Sequence, residues 1–290
     1  MRQFGVLLAF AAAVFASARA ADAAFDLQYT IADPSAFTAN QLQVLTTAIA
    51  DAERLWESRI SGYQPGITLS SLPITISAST VPALAEAGYY STVTQGGFTV
   101  ATSGYIRINP NQIEPFANWQ YLPTSGGKTG HNCVDELVGH ETGHVLGIGT
   151  LWVANNVYTT GTFQYTGQYG VAAYRAEFDP GAAFIPVENA GAVGSKDVHW
   201  DQLFRSQEGG SGDPWLKSPL LGITDSAGRD LGLELMSAAI DPDYGEPFLS
   251  NTTVQSLRDL GYTVVPEPSV WLLLAMGAMA GLVFRRVERS

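Results

Sequence analysis

The stretch from Asn132 to Gly147 constrains this chain more than any other. Asn132 is a residue type favoured as a helix N-cap, and Gly147 is favoured just past a helix end. Between them Val134, Leu137, Val138, Val145 and Leu146 supply apolar helix positions. His140 and His144 stand four apart, so on a helix they lie one turn apart on the same face. Two imidazoles so placed can reach one zinc ion at ~2.0–2.1 Å. Glu141 sits just off that axis, where it reaches a water on the metal rather than the metal. This His-Glu-x-x-His spacing is the arrangement of zinc peptidases. Two histidines can also simply cap or pack. Against that, the motif lies on a capped helix and takes two of the chain's four histidines.

A catalytic zinc site takes three protein ligands and keeps one position open. Extended motifs place a third histidine six residues after the second, but that position here is Thr150, a poor zinc ligand. His131 lies nine residues before His140, which is ~13 Å along a helix and too far to share the ion. His199, 55 residues after His144, remains by elimination. Gly147 and Gly149 let the chain leave the helix and return. A carboxylate, Glu177 or Glu188, is the alternative third ligand, although no second helical motif supports either.

The rest of the chain reads as strand, helix, then strands. Phe25, Leu27, Tyr29 and Ile31 alternate with other residues, which predicts a strand. Thr38 and Gln41 form the spacing of a capping box. Leu42, Leu45, Ile49, Ala52 and Trp56 then share one helix face, which should pack on a sheet. Ile74, Ile76 and Ala78 alternate, as do Phe98 and Val100, and Ile106 and Ile108. Gly96-Gly97 and Ser103-Gly104 separate these runs as turns, with a hairpin among them. The stretch from Trp152 to Glu234 has weak periodicity and should be largely irregular. A last short helix spans about Thr252 to Leu260 and stops at Gly261.

Residues His140 to Trp152, HETGHVLGIGTLW, resemble the zinc helix of leishmanolysin-type metzincins. In that family the third histidine is displaced by a long insertion and is commonly followed by Trp, and His199-Trp200 matches. The family's Met-turn, whose methionine lies beneath the metal, is matched by Glu234-Leu235-Met236. Leu257 to Tyr262 resembles the closing helix of bacterial members. The resemblance covers roughly Val134 to Val264. It implies an α+β, metzincin-like fold, with a twisted, mostly parallel or mixed sheet and two long helices in an N-terminal subdomain. An irregular C-terminal subdomain ending in a helix would follow. It also implies an edge strand above the cleft, expected within Phe98 to Asn109, to which a peptide adds as another strand. Trp152, Trp200 and the loops before Met236 are candidates to shape a specificity pocket or to be core. The chain departs from the family at Ala238, where some metzincins carry a tyrosine, and in having one cysteine. Cys133 allows no intramolecular disulfide and lies about two turns before His140, too far to block the metal.

The two ends read as addresses. Arg2, an apolar run from Phe4 to Phe15 and then Ala18-Arg19-Ala20 have the anatomy of a secretory signal peptide over 1–20, with cleavage as late as residue 23. Val265-Pro266-Glu267-Pro268-Ser269, the apolar run Val270 to Phe284 and Arg285-Arg286 resemble a PEP-CTERM sorting signal over 265–290. That resemblance implies a Gram-negative bacterial source, an exosortase-type processing partner and transient anchoring in the inner membrane before release to the surface or matrix. Residues 24–264 are then the catalytic domain. Between Ala24 and Val264 there are 10 basic and 24 acidic residues, a net of −14. With no basic stripe, binding to nucleic-acid phosphates is excluded. Asp241, Asp243 and Glu246 are close enough to share a calcium ion, though nothing fixes one there.

These features imply an exported zinc-dependent endopeptidase acting on protein or peptide, with Glu141 as general base. Two other classes stand beside that reading. One is a non-catalytic surface or matrix-binding module on a metallopeptidase fold. The other is a zinc amidohydrolase acting on a non-peptide amide.

Overall fold

The computed structural model describes residues 25–80, 84–118, 132–189, 194–201, 223–238 and 246–266. The expected signal segment, His131, Asp241, Asp243 and nearly all of the expected sorting segment lie outside them. The chain opens with strand β1 (Asp26–Ile31), helix α1 (Ala39–Glu57), a short strand β2 (Ile60–Tyr63) and strand β3 (Ser71–Ala78). Strands β4 (Ala85–Gln95) and β5 (Phe98–Ile108) form a hairpin across Gly96-Gly97. Helices α2 (Pro110–Ala117) and α3 (Val134–Val145) follow. The later part holds β6 (Gln164–Tyr165), α4 (Gln168–Glu177), β7 (Ile185–Pro186), α5 (Asn251–Ser256) and β8 (Tyr262–Val264).

The main sheet has four strands in the order β1-β3-β5-β4. The first three are parallel and β4 is antiparallel to β5. The protein is therefore α+β with a mixed sheet. One sheet face is covered: Leu27, Leu72, Ile74, Ile76, Ile106 and Ile108 are all buried. Gln28, Thr30, Pro73, Thr75 and Arg107 alternate with them on the other, more open face. That alternation is what one buried face of a sheet demands.

Helix α1 begins as its capping box requires. The Thr38 Oγ1 accepts from the Gln41 N–H at 3.2 Å, and the Gln41 Oε1 accepts from the Thr38 N–H at 2.9 Å. Leu45, Ala48, Ala52 and Trp56 are its buried stripe, with Leu42 and Ile49 half-buried beside it. It packs along α3, where the Trp56 indole N–H donates to the Gly139 carbonyl at 2.9 Å. From the sheet, the Tyr29 and Thr142 hydroxyls meet at 2.7 Å. Helix α3 is thus held between sheet and α1 at two of its turns.

The structure corrects three readings of this half. Ser103-Gly104 is not a turn but the middle of β5, where a side chain at Gly104 would run into Val145 of α3. A glycine within a strand here marks a close approach of another element. The strand within Phe98 to Asn109 is not the sheet edge, since β5 lies between β3 and β4, and β4 is the edge. The N-cap of α3 is Cys133 rather than Asn132, whose Oδ1 instead accepts from the Val134 N–H at 3.2 Å.

Among its described residues the later half contains a helix, α4, that periodicity did not mark. Helices α4 and α5 cap one another. The Asp259 carboxylate, just past α5, accepts from the Tyr169 and Gly170 N–H groups at the start of α4, at 3.1 and 2.9 Å. The Glu177 carboxylate, at the end of α4, accepts from Asn251 N–H and Thr252 N–H at the start of α5, at 3.1 and 2.8 Å. Trp152 and Trp200 are fully buried and stack with centroids 4.7 Å apart, and Tyr165 meets both edge-on at 5.2 Å. They are core residues, not pocket walls. β8 pairs antiparallel with β2 and ties the end of the described chain back to the first half.

Candidate metal centre

Three histidines converge. The Nε2 atoms of His140 and His144 are 3.1 Å apart, those of His144 and His199 3.0 Å, and those of His140 and His199 3.2 Å. All three side chains are buried, and they form the one group of ligand-type side chains among the described residues able to hold a metal ion. Neither Glu177 nor Glu188 belongs to that group. Glu177 is engaged in capping α5. Thr150 donates its hydroxyl to the His144 carbonyl at 2.6 Å, so it closes the helix end instead of reaching the centre.

The opposite nitrogen of each ring meets a backbone carbonyl. His140 Nδ1 is 2.6 Å from the Leu235 oxygen, His144 Nδ1 is 2.9 Å from that of Ile148, and His199 Nδ1 is 2.8 Å from that of Ser195. A carbonyl can only accept, so each Nδ1 carries the proton and each neutral ring turns a bare Nε2 lone pair inward. Three lone pairs at that separation repel one another unless a cation lies among them. An ion ~2.05 Å from each of three nitrogens at near-tetrahedral angles holds them ~3.3 Å apart, close to what is seen. The donor set therefore fits a metal ion held by three nitrogen ligands.

Burial has already prepared the charge state. It lowers His140 to about 3, with the neighbouring His144 adding to the effect. His144 is lowered by burial, and His199 is lowered well below its ordinary value by burial and then by the other two rings. All three are thus neutral at physiological pH, as ligands must be. Glu141, also buried, is pushed up to about 8 by burial and then by the charge of Glu86 on β4.

His199 comes to the helix from a loop held at several points. Gly149 has φ +76, and a Cβ there would lie 2.8 Å from the Val198 Cα and closer still to its carbonyl. No other residue lets the turn after α3 come so near the His199 loop. The Asp197 carboxylate accepts from the Tyr158 hydroxyl and from the Gly161 N–H. Trp200, next in the chain, donates its backbone N–H to the Met236 carbonyl at 3.1 Å.

Met236 is buried beneath α3. A Cβ at Gly143 would lie 2.8 Å from the Met236 Cε and 3.2 Å from Trp56, so the methionine fills the space that glycine leaves between the two histidines. Its neighbour Leu235 supplies the carbonyl that orients His140. The sequence does not reveal that carbonyl, because a backbone oxygen leaves no side-chain pattern. Cys133 is buried with its N–H donated to the Phe116 carbonyl and lies outside the histidine group.

Compared with known proteins, the sequence matches no protein-family model and no curated protein.

Proposed function

We propose that the chain is a zinc-dependent endopeptidase of the leishmanolysin-like metzincin type, with His140, His144 and His199 as zinc ligands and Glu141 as general base. One observation carries the reading: three neutral imidazoles turn their Nε2 atoms onto one point 3.0–3.2 Å from each other, with a buried carboxylate next to the first of them. An all-nitrogen set of three histidines suits zinc, whose catalytic sites take three protein ligands, better than calcium or magnesium, which take oxygen ligands.

When bound, zinc would lower the pKa of a water toward ~7, polarise the scissile carbonyl and draw the Glu141 carboxyl back toward its ionised form. Glu141 then takes the proton of the attacking water and delivers it to the leaving amine. Its burial raises its proton affinity, which favours acceptance of that proton. The three Nδ1–carbonyl bonds keep the imidazoles in the ligating tautomer throughout.

The edge strand supports a peptide substrate. β4 packs against α3, and Glu86 on it is near enough for its charge to act on Glu141. Its outer edge is unpaired among the described residues, so an extended peptide can add there by main-chain hydrogen bonds. In the same proposal 1–20, or 1–23, is an export signal, 24–264 the catalytic domain and 265–290 a sorting segment handled by an exosortase-type enzyme. The protein would then act at the periplasm, cell surface or matrix after brief anchoring in the inner membrane. Among the described residues no helix is long and apolar enough to cross a membrane.

The test is cleavage of casein or a peptide library by the purified protein. The wild type should cleave, and Glu141→Ala should retain zinc without cleaving. Loss of zinc together with activity in Glu141→Ala would argue against a base that stands off the metal.

A further inference from the structure

The three histidines come from two places, α3 and the loop before Trp200, and the carbonyl that orients His140 comes from a third. Something must hold these pieces in register. Glu234 is buried, at 1% exposure, and its carboxylate accepts four hydrogen bonds. The Oε2 accepts from the Met236 N–H at 2.6 Å. The Oε1 accepts from the Ser250 N–H at 3.0 Å, the Ser250 hydroxyl at 2.9 Å and the Thr253 hydroxyl at 2.6 Å.

Each bond leads to the centre. The Oε2 bond shapes the turn Glu234-Leu235-Met236, whose Leu235 carbonyl receives the His140 Nδ1–H. The Oε1 bonds fix the Thr253 hydroxyl, whose remaining lone pair accepts the Trp200 indole N–H at 2.7 Å. Trp200 is the residue after His199. One carboxylate thus reaches His140 through one oxygen and His199 through the other, across the start of α5.

From this bonding we infer that Glu234 is a positioning residue for the metal centre, locking His140 and His199 into one ligand set. The inference rests on the metal-centre reading above. Chemistry sets the demand: four donors converge on one side chain, and only a carboxylate accepts on both oxygens. A glutamine of the same shape must turn its NH2 toward one set of donors, so it breaks either the Met236 side or the Thr253 side. Groups that orient ligating histidines are worth ~10–100-fold in metal affinity.

The experiment compares the full-length wild type with Glu234→Gln and Asp259→Asn. Asp259 is a second buried carboxylate of the same half, which accepts from the start of α4 and from the Tyr165 hydroxyl and bonds neither the Leu235 turn nor Thr253. Zinc affinity is read by competition with a chelator. Coordination geometry is read from the visible absorption of the cobalt-loaded protein, and fold stability from urea unfolding of the metal-free forms. Glu234→Gln should bind zinc ~10–100-fold more weakly with altered cobalt bands, while Asp259→Asn loses stability but keeps wild-type affinity and bands. Wild-type affinity and spectrum in Glu234→Gln overturn the inference, as does an equal loss in Asp259→Asn. If Glu234→Gln does not fold, Thr253→Val breaks the Glu234–Thr253–Trp200 path and leaves the Met236 side bonded, and unchanged affinity there overturns it. A wild-type chain that binds neither metal overturns the metal-centre reading itself, and the inference with it.

Discussion

Each imidazole of the centre has its proton assigned by a backbone carbonyl, so the inward nitrogens present bare lone pairs before any ion arrives. Removing one should cost more than removing a supporting group. His199→Ala is expected to lose zinc affinity well beyond the ~10–100-fold typical of outer partners, and zinc held at full stoichiometry and affinity in that variant would remove His199 from the site. Titration of the metal-free protein gives a second expectation. Burial, and then His144, lower His140 from 6.5 to about 3. The unfolded chain binds the extra proton in that window, so stability falls as pH drops through it. Burial, and then Glu86, raise Glu141 from 4.5 to about 8. There the folded chain holds the extra proton, so stability falls as pH rises. Glu141→Gln removes the second loss and leaves the first. Urea midpoints of the metal-free wild type and Glu141→Gln should therefore separate as pH rises from about 5 to about 8, and parallel pH profiles would contradict this. At this scale the sequence was most legible where chemistry is local. The pairing of His140 with His144 follows from helical spacing, and the choice of His199 followed from there being few histidines to choose among. The carbonyls of Leu235, Ile148 and Ser195 that orient the rings carry no side-chain signature, and only the fold reveals them.

Elements were legible where their signals are contained within them. The capping box of α1 and the alternation of β1 and β3 lie entirely in neighbouring residues. Helix α4 escaped because its cap does not: Gly167 stands at its N-cap with no side chain, and the carboxylate that serves it is Asp259, some 90 residues on. The edge strand was misplaced for a related reason. β5 carries Val100, Ala101, Ile106 and Ile108 in full burial, a pattern of an interior strand, whereas β4 carries Tyr89, Tyr90 and polar residues that tolerate an edge. Glycines inside elements show the same dependence on neighbours. On helix propensity alone Gly143→Ala should stabilise α3 by about 1 kcal/mol. The new methyl would instead press on Met236 and Trp56, so a net destabilisation of ~1–3 kcal/mol is expected in urea unfolding. A gain in stability would mean that Met236 does not pack beneath the helix. Gly149→Ala should push the His199 loop away from α3 and weaken zinc binding while the N-terminal sheet stays folded. Circular dichroism alongside chelator competition would separate the two effects.

Across the whole molecule the centre joins parts that are otherwise tied by the β2–β8 pair and the packed core. Two of the three histidines sit on α3 beside the first sheet, and the third sits in the later half of the chain. A metal that binds only the assembled site stabilises both halves together, by ~2.7 kcal/mol when free metal is at 100 times its dissociation constant. Added zinc should thus raise the temperature of a single unfolding transition, and a chelator should reverse it. The strands and helices of the first half were foreseeable from pattern, and the resemblance implied a mixed sheet, but the packing of α1 along α3 and the mutual capping of α4 and α5 were not foreseen, because they exist only once the chain has folded. The central claim is that a metal at His140, His144 and His199 works with Glu141 to hydrolyse peptide bonds. Zinc content and casein cleavage, measured on the same preparations of wild type and Glu141→Ala, test it most directly. The account predicts one equivalent of zinc in both proteins and cleavage by the wild type alone. A wild type without zinc, or undiminished cleavage by Glu141→Ala, would contradict it.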